Sequence, residues 1–469
     1  MSLTAGITSR GRGLDRALAG KIVLPDDERW DEARRAFNLA VDQRPAAVVY
    51  ATGAQDVAAA VALAIERGQR IAAQATGHNA GPLGPLEDTI LLKTERMRGV
   101  TIDPEARIAR VEAGVQWIEV VEAAARHGLA ALAGSSPNVG VVGYTLGGGL
   151  SFLGRKYGLA ANSVRAIELV TPDRRLVRAD RENEPDLFWA LRGGGGSFGV
   201  VTALELRLFP LTEVYAGILW YPIERGGEVL DAWRELTHGA PDELTTVGRF
   251  VNLPPIPEIP EPVRGKSFVV VEAFHVGDHE RADELLAPLR ALGPVNDTIA
   301  TISPPALTRV HMDPEAPLAG FGDGLMVSDL PDEALSAFIG AAGAGAPWPM
   351  VSVELRHLEG EFGRARPENG ALAAIPARYV LFSGSPAPSP DLLAAARAGV
   401  ETITRALAPW GAPAMYLNFA ETSRPPGSFW SGQAYDRLRQ VKAAVDPDDV
   451  IRSNHPIPPA ARGANGASR

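Results

Sequence analysis

The chain has 469 residues, too long for one hydrophobic core, so two or three lobes are expected. Acidic residues outnumber basic ones, 56 to 46, for a formal charge of -10. That balance argues against a nucleic-acid partner, which needs a broad basic surface. The absence of cysteine excludes disulfides, thiolate nucleophiles and cysteine-ligated metals.

The first 21 residues carry three arginines and several glycines but no continuous apolar run, so no secretory signal is expected. No apolar stretch reaches the roughly 20 residues needed to span a bilayer. A cytoplasmic protein without a membrane partner, monomeric or homodimeric, is the expectation. A short buried strand is predicted over 46–50, then a helix over 57–67 introduced by Thr52 to Asp56 and broken by Gly68. Strands follow over 70–74, 89–92 and 108–112. A helix over 117–127 stops at Gly128, which can supply a left-handed C-cap. The next stretch is dense in glycine, with Gly134, Gly140, Gly143 and the run from Gly147 to Gly149. Glycine costs backbone entropy, so this density points either to backbone close to a flat or charged ligand or to a mobile loop. A helix over 187–191 and a strand over 200–208 complete this part.

Pro210 marks a boundary. From 214 to 413 the texture becomes that of a second α+β lobe on an antiparallel sheet. Strands over 267–273 and 350–355 alternate with helices such as 282–292, separated by proline-rich connectors. On the strand over 350–355, Val351, Val353 and Leu355 point one way, and Ser352, Glu354 and Arg356 the other. Trp220, Phe250, Phe268 and Trp348 offer apolar surface to a substrate. His275 and His279 have metal-pair spacing, but Gly277 and Asp278 intervene where a helix has not yet begun, so no metal is expected. The chain closes with a strand over 416–419, a helix over 435–445 and a tail after Pro456 that is expected to fray. The predicted units are 1–210, 211–413 and a returning segment, 414–469.

Several stretches recur in a recognisable order. They are Gln74-Ala-Thr-Gly-His-Asn-Ala-Gly81, Gly134-Ser-Ser-Pro-Asn-Val-Gly140, Gly143-Tyr-Thr-Leu-Gly-Gly-Gly149 and Gly158-Leu-Ala-Ala-Asn162. Further on come Asp186 to Val200, Tyr416-Leu-Asn418, Tyr435 to Lys442 and Asp446-Pro-Asp-Asp449. Together they resemble the vanillyl-alcohol-oxidase superfamily, and more closely its berberine-bridge-enzyme-like branch. The resemblance implies an α+β fold. A two-part PCMH-type FAD-binding domain would be made from both chain ends, with an inserted substrate domain built on an antiparallel sheet flanked by helices. No Rossmann fingerprint is present in the required strand–loop–helix context.

The resemblance also implies an FAD bonded through His78 to its 8α-methyl carbon. Neutral imidazole is a good nucleophile near pH 7. Many members add a cysteine bond where this chain has Ser136. A hydroxyl is a far weaker nucleophile, so a single covalent link is expected. The implied cofactor-binding set is Gln74, Ala75, Thr76, Gly77, His78, Asn79, Ser136, Pro137, Val139, Gly140, Gly143, Gly147, Gly148, Val200 and Asn418. Gln74 replaces a common arginine, removing a fixed charge near the pyrophosphate; backbone N–H groups around Ala75 to Asn79 can act as a nest. Tyr144 stands where histidine is common, either facing flavin or substrate or stacking in the wall. Family members with valine at the place of Val139 react with oxygen, so the resemblance implies oxygen reactivity here.

Oxidation of an alcohol also requires loss of its hydroxyl proton, so a base helps. Tyr416 matches a catalytic tyrosine of sugar- and polyketide-oxidising relatives. Working near pH 7 as a base needs about 4 kcal/mol of differential stabilisation over its ordinary pKa near 10; otherwise it is a hydrogen-bond anchor. Glu354 is the alternative base if burial raises its pKa, or it forms a structural ion pair. Arg356 binds an anionic substrate or neutralises Glu354, and His357 turns away with the apolar residues. Together these imply an FAD-dependent oxidase of a small-molecule alcohol, a sugar or secondary metabolite, with hydride passing to flavin N5, O2 as acceptor and H2O2 as product. The alternative is an oxidative cyclase or dehydrogenase acting on a polyketide-like, alkaloid-like or amine substrate.

Overall fold

The computed structural model describes residues 18–257, 259, 261–347 and 350–461. Its strands form three principal sheets. The first has the order Ile22–Val23, Ala47–Tyr50, Thr89–Lys93, Arg70–Gln74, Ile451–Arg452. All its pairings are parallel except the first. Its central strands are continuous apolar runs, as expected of a sheet covered on both faces. The last strand comes from the far end of the chain and lies beside Arg70–Gln74. Lys442 anchors that return. Its fully buried ammonium lies 2.6 Å from Asp446 and donates to the carbonyls of Ser197 and Ile451.

The second sheet is antiparallel, in the order Val100–Asp103, Ile108–Glu112, Val200–Arg207, Val164–Val170, Leu176–Ala179. The helix Ala54–Glu66 packs between these two sheets, placing Val57, Val61 and Ala64 in one core with Ile71, Leu92 and Val170. The helix Trp117–Ala125 begins with a capping box in which the Glu119 carboxylate accepts from the Gln116 N–H at 2.8 Å. It is followed by Gly128 at φ +67°, the left-handed residue expected there.

Pairing changes after Pro210. The strands from Val214–Pro222 to Tyr379–Pro386 form one eight-stranded antiparallel sheet. The helices Gly226–His238, His279–Ala291, Asp332–Ala342 and Pro390–Leu407 cover one face, against Val269, Val271, Val353, Leu355 and Leu381. The opposite face turns toward the first part of the chain, where Val247 and Phe274 pack with Phe152 and Phe209. Glu354 and Arg356 lie on that face. The two-way division of this strand's residues holds, although both faces are buried.

Some expectations do not hold. Residues 416–419 are not a strand: Leu417–Phe419 is a single 3-10 turn, which aims Tyr416 and Asn418 at the same point. The tail is ordered as far as it is described, because Ile457 is fully buried and its N–H donates to Ser197 Oγ at 3.1 Å. Phe250 is committed to the helix-side core, and Trp220 packs edge-on to Phe268 in a separate cluster. Trp348 lies outside the described residues, as do residues 1–17 and 462–469. His275 ends a strand and His279 begins a helix, so their spacing is not that of one helical face. No helix among the described residues is long and apolar enough to cross a membrane.

Candidate functional site

The site is built where three loops meet. The first follows the strand Arg70–Gln74. Gly77 has φ +81°, and a Cβ there would lie 2.7 Å from Gln74 Nε2, so the turn requires glycine. It presents the His78 ring, which stacks on Phe37 with centroids 3.7 Å apart. Thr76 Oγ1 lies 2.8 Å from His78 Nδ1, and the buried Nε2 has no partner among the described residues. Burial lowers the His78 pKa to about 4, with Asn138 and Asp313 opposing only partly, so the ring is neutral near pH 7. Gln74 does not leave the region without a cation. Its side chain donates to the Arg35 carbonyl, and its register partner Lys93 reaches the same carbonyl. Asn79 Nδ2 donates to the Ala420 carbonyl at 3.3 Å while its Oδ1 is unpartnered.

The second is the glycine-dense stretch, which is no mobile loop but a packed turn leading into the short helix Val141–Leu146. The carbonyls of Pro137 and Val139 accept from the first N–H groups of the helix Trp117–Ala125. Ser136 is buried, with its hydroxyl 2.7 Å from Asn138 Oδ1. Gly140 faces Ala75, where an added Cβ would approach to 3.1 Å, so the two loops touch. Tyr144 packs edge-on against Trp117 with centroids 5.3 Å apart. Its buried hydroxyl and that of Thr145 have no partner among the described residues, and burial pushes the Tyr144 pKa well up. A Cβ at Gly143 would meet nothing within 4 Å.

The third loop supplies Tyr416 and Asn418. Tyr416 Oη accepts from the Gly149 N–H and from Asn418 Nδ2, each at 3.0 Å. Asn418 Nδ2 also donates to the Tyr144 carbonyl at 2.9 Å. A Cβ at Gly147 would sit 1.8 Å from Asn418 Oδ1, and one at Gly148 would press on Leu372 and Tyr416. These glycines therefore let the third loop reach the second. Burial raises the Tyr416 pKa, and its hydrogen bonds and Arg356 offset this only in part. Val200 is not brought in: its side chain is buried in the core with Val170 and Ile71.

The inserted sheet contributes a charged wall. Arg249, Glu272, Glu354 and Arg356 come from three adjacent strands, and His311 enters from the loop that follows a short helix. His311 Nδ1 lies 2.7 Å from Glu272, and its Nε2 lies 2.8 Å from Glu354. Arg249 donates to Glu272 at 2.9 Å, and Arg356 to Glu354 at 2.8 Å. This reverses the basicity argument for Glu354. Burial alone raises its pKa, but Arg356 and His311 overcome burial and hold it far below the usual carboxylate range. Glu354 is held in ion pairs that lower its basicity where burial alone would raise it. His357 pairs with Glu359 and Arg155, away from this wall.

Burial and Arg249 depress the His311 pKa, but Glu272, Glu354 and Asp313 together raise it to about 9. A raised pKa contributes stability that is fully present below the unfolded value near 6.5 and is lost as pH rises through about 9. The stabilisation is on the order of 3 kcal/mol. Urea midpoints are therefore expected to fall between pH 7 and pH 10, and His311→Gln to flatten that fall. A His311→Gln curve parallel to wild type would show that another group governs it.

Residues that pattern reading missed surround this framework. Asp313 accepts from Ser135 Oγ at 2.6 Å, and Asn138 donates to the Glu315 carbonyl at 2.7 Å. Leu318 exchanges backbone hydrogen bonds with Phe37 and Leu39. Residues 311–320 thus strap the inserted sheet to the loops around His78. A cleft of ≈470 Å³ opens beside His78, lined also by Asn79, Phe321, Arg397 and Glu421. Burial raises the Glu421 pKa to about 8; the Gly322 N–H opposes this and Asp323 adds to it. Only position within the recognised motifs could have flagged Ser135 and Asn138. Nothing periodic marks His311, Asp313 or Glu421.

The residues present fit a flavin. Among the described residues, His78 Nε2, Asn79 Oδ1, Tyr144 Oη and Thr145 Oγ1 are buried polar atoms without partners, all within the two motif stretches named for it. Buried polar groups are ordinarily satisfied, so such a cluster fits a polar cofactor.

An FAD binding domain family model matches residues 45–180, and a model described as berberine and berberine like matches 415–458. (R)-6-Hydroxynicotine oxidase of Paenarthrobacter nicotinovorans is 30% identical, over 94% of this chain and 97% of its own. This chain belongs to the berberine-bridge-enzyme-like FAD-linked oxidoreductases. Within that family, chitooligosaccharide oxidase of Gibberella zeae is 25% identical over 98% of this chain and 97% of its own. The structure of berberine bridge enzyme from Eschscholzia californica matches with a TM-score of 0.81, covering 96% of this chain and 99% of that one. At 19% identity, that likeness speaks to fold alone. The PCMH-type α+β fold and the FAD-dependent oxidoreductase class inferred from the motifs therefore stand.

Proposed function

We propose that this protein is an oxidase that carries FAD on His78 through one covalent bond and oxidises an alcohol carbon of a small molecule, with O2 as acceptor and H2O2 as product. The observation that carries the reading is the pair of donors, Gly149 N–H and Asn418 Nδ2, on the Tyr416 phenol oxygen. FAD, when bound, supplies the hydride acceptor at N5. Tyr416 takes the hydroxyl proton of the substrate. It does so as the phenolate, after its own proton has left to solvent, and the two donors, with Arg356 nearby, stabilise the negative charge that its oxygen carries until the transfer. His78 supplies a neutral imidazole, Ser136 offers no thiol for a second attachment, and the N–H groups of Ala75 to Asn79 would hold the phosphates of the bound cofactor. Tyr144 forms the wall behind Tyr416.

The family division of labour also fits the strand pairing. We take residues 18–210 and 414–461 as the cofactor-binding part and 211–413 as the substrate-binding part. The named relatives include oxidases of a nicotine derivative and of chitooligosaccharides.

The test is reoxidation. Protein reduced with dithionite and mixed with oxygenated buffer in a stopped-flow instrument is expected to recover its yellow colour far faster than free reduced flavin, releasing one H2O2 per flavin. Recovery over minutes, or without peroxide, would assign the dehydrogenase alternative instead.

A further inference from the structure

Arg356 is placed to do more than neutralise Glu354. Its Nε and Nη2 both lie 2.8 Å from Glu354 Oε1, and Nη2 lies 3.4 Å from Ser135 Oγ. Among the described residues no hydrogen bond or ion pair uses Nη1. The guanidinium sits between two rings, with Cζ 5.3 Å from the Phe152 centroid and 5.1 Å from that of Phe419. Phe419 meets Tyr416 edge-on at 5.2 Å, so the cation and the phenol proposed to take the proton share one wall. Both Tyr144 and Tyr416 feel its charge.

The surroundings leave this cation under-compensated. Among the described residues, Arg249, His311 and Arg356 have close ion-pair contacts, at 2.7–2.9 Å, with two carboxylates, Glu272 and Glu354. The third carboxylate, Asp313, is 3.8 Å from His311, accepts from Ser135 and is 32% exposed, so water screens it. The Arg356 side chain is 9% exposed. Its desolvation is already met by folding, and its orientation is fixed by Glu354. A planar, pre-oriented guanidinium with a free edge suits an anionic oxygen, and flanking aromatic rings suit a flat ligand.

We propose that Arg356 is the specificity-determining contact for substrate, and that the substrate carries an anionic oxygen, carboxylate or phenolate, on a planar ring. This rests on the oxidase reading of the same site and names its substrate class. A neutral oligosaccharide would leave Nη1 without the charge-assisted hydrogen bond that its setting favours.

The probes are benzoate and 4-nitrophenolate, with benzamide as the neutral counterpart of benzoate, titrated into flavin-containing protein. Binding is read by perturbation of the visible flavin spectrum and, independently, by calorimetry. One or both anions are expected to bind at least tenfold more tightly than benzamide, and which one does so separates the two classes. Arg356→Gln is expected to abolish that preference and Arg356→Lys to retain part of it. Because Arg356→Gln leaves Glu354 buried alone and can prevent folding, the double variant R356Q/E354Q removes both charges and is the decisive protein. E354Q alone is expected to tighten anion binding, since it removes the competing carboxylate. Anion affinity within twofold of wild type in the double variant would overturn the proposal, as would benzamide binding as tightly as both anions. Protein that purifies without flavin would count against the oxidase reading, while calorimetry would still decide the role of Arg356.

Discussion

Replacing His78 with alanine is expected to move all of the yellow colour from the acid-precipitated polypeptide to the supernatant. The wild-type protein should keep its colour in the pellet. The expectation rests on an imidazole that is stacked on Phe37, oriented by Thr76 and neutral because burial lowers its pKa to about 4. A protonated imidazole has no free lone pair, so the depressed pKa keeps the nucleophilic form present throughout the neutral range. With no cysteine in the chain, no thiolate can make a second attachment. His78→Ala should still fold, because the ring makes few polar contacts, and should bind flavin reversibly with a lowered potential. Wild-type protein that releases its flavin in acid would end the covalent assignment while leaving the fold untouched.

Tyr416→Phe is expected to slow flavin reduction by substrate by about 100- to 10,000-fold, the range associated with loss of a positioned base. Substrate affinity should change less than threefold. The reason is local. Phenylalanine keeps the ring contact with Phe419 and removes only the oxygen on which Gly149 and Asn418 converge. At rest the phenol is neutral, since burial outweighs its donors. The reduction rate should therefore rise with pH through the alkaline range in wild type and be flat in the variant. Matched losses in rate and affinity would make Tyr416 an anchor and send the search for a base elsewhere.

Local pattern was a good guide where local forces decide the outcome. The strands Arg70–Gln74 and Ile108–Glu112 have the bounds expected from the sequence, and Gly128 closes its helix. The motif loops were legible because glycine is needed there for reasons visible in the structure, such as the Cβ clash at Gly147 with Asn418. Residues 416–419 failed as a strand because two inward hydrogen bonds, and not side-chain alternation, set their backbone. The sequence leaves Glu354 open between a base strengthened by burial and an ion-pair partner, and neighbouring charges overturn the effect of burial. The charges that reverse it come from Arg356 on the same strand and from His311, more than 40 positions away in the chain, on a segment with no periodic signal. Asp313 and Glu421 share that difficulty.

The strand Ile451–Arg452 lies beside Arg70–Gln74, and Tyr416 and Asn418 sit only slightly earlier in the chain. Translation therefore produces His78 hundreds of residues before the parts that close around it. Cofactor capture should wait until ribosomal elongation is nearly over, with the early lobe held open meanwhile. A nascent chain arrested near residue 400 should be unable to retain flavin, however well its first half has folded.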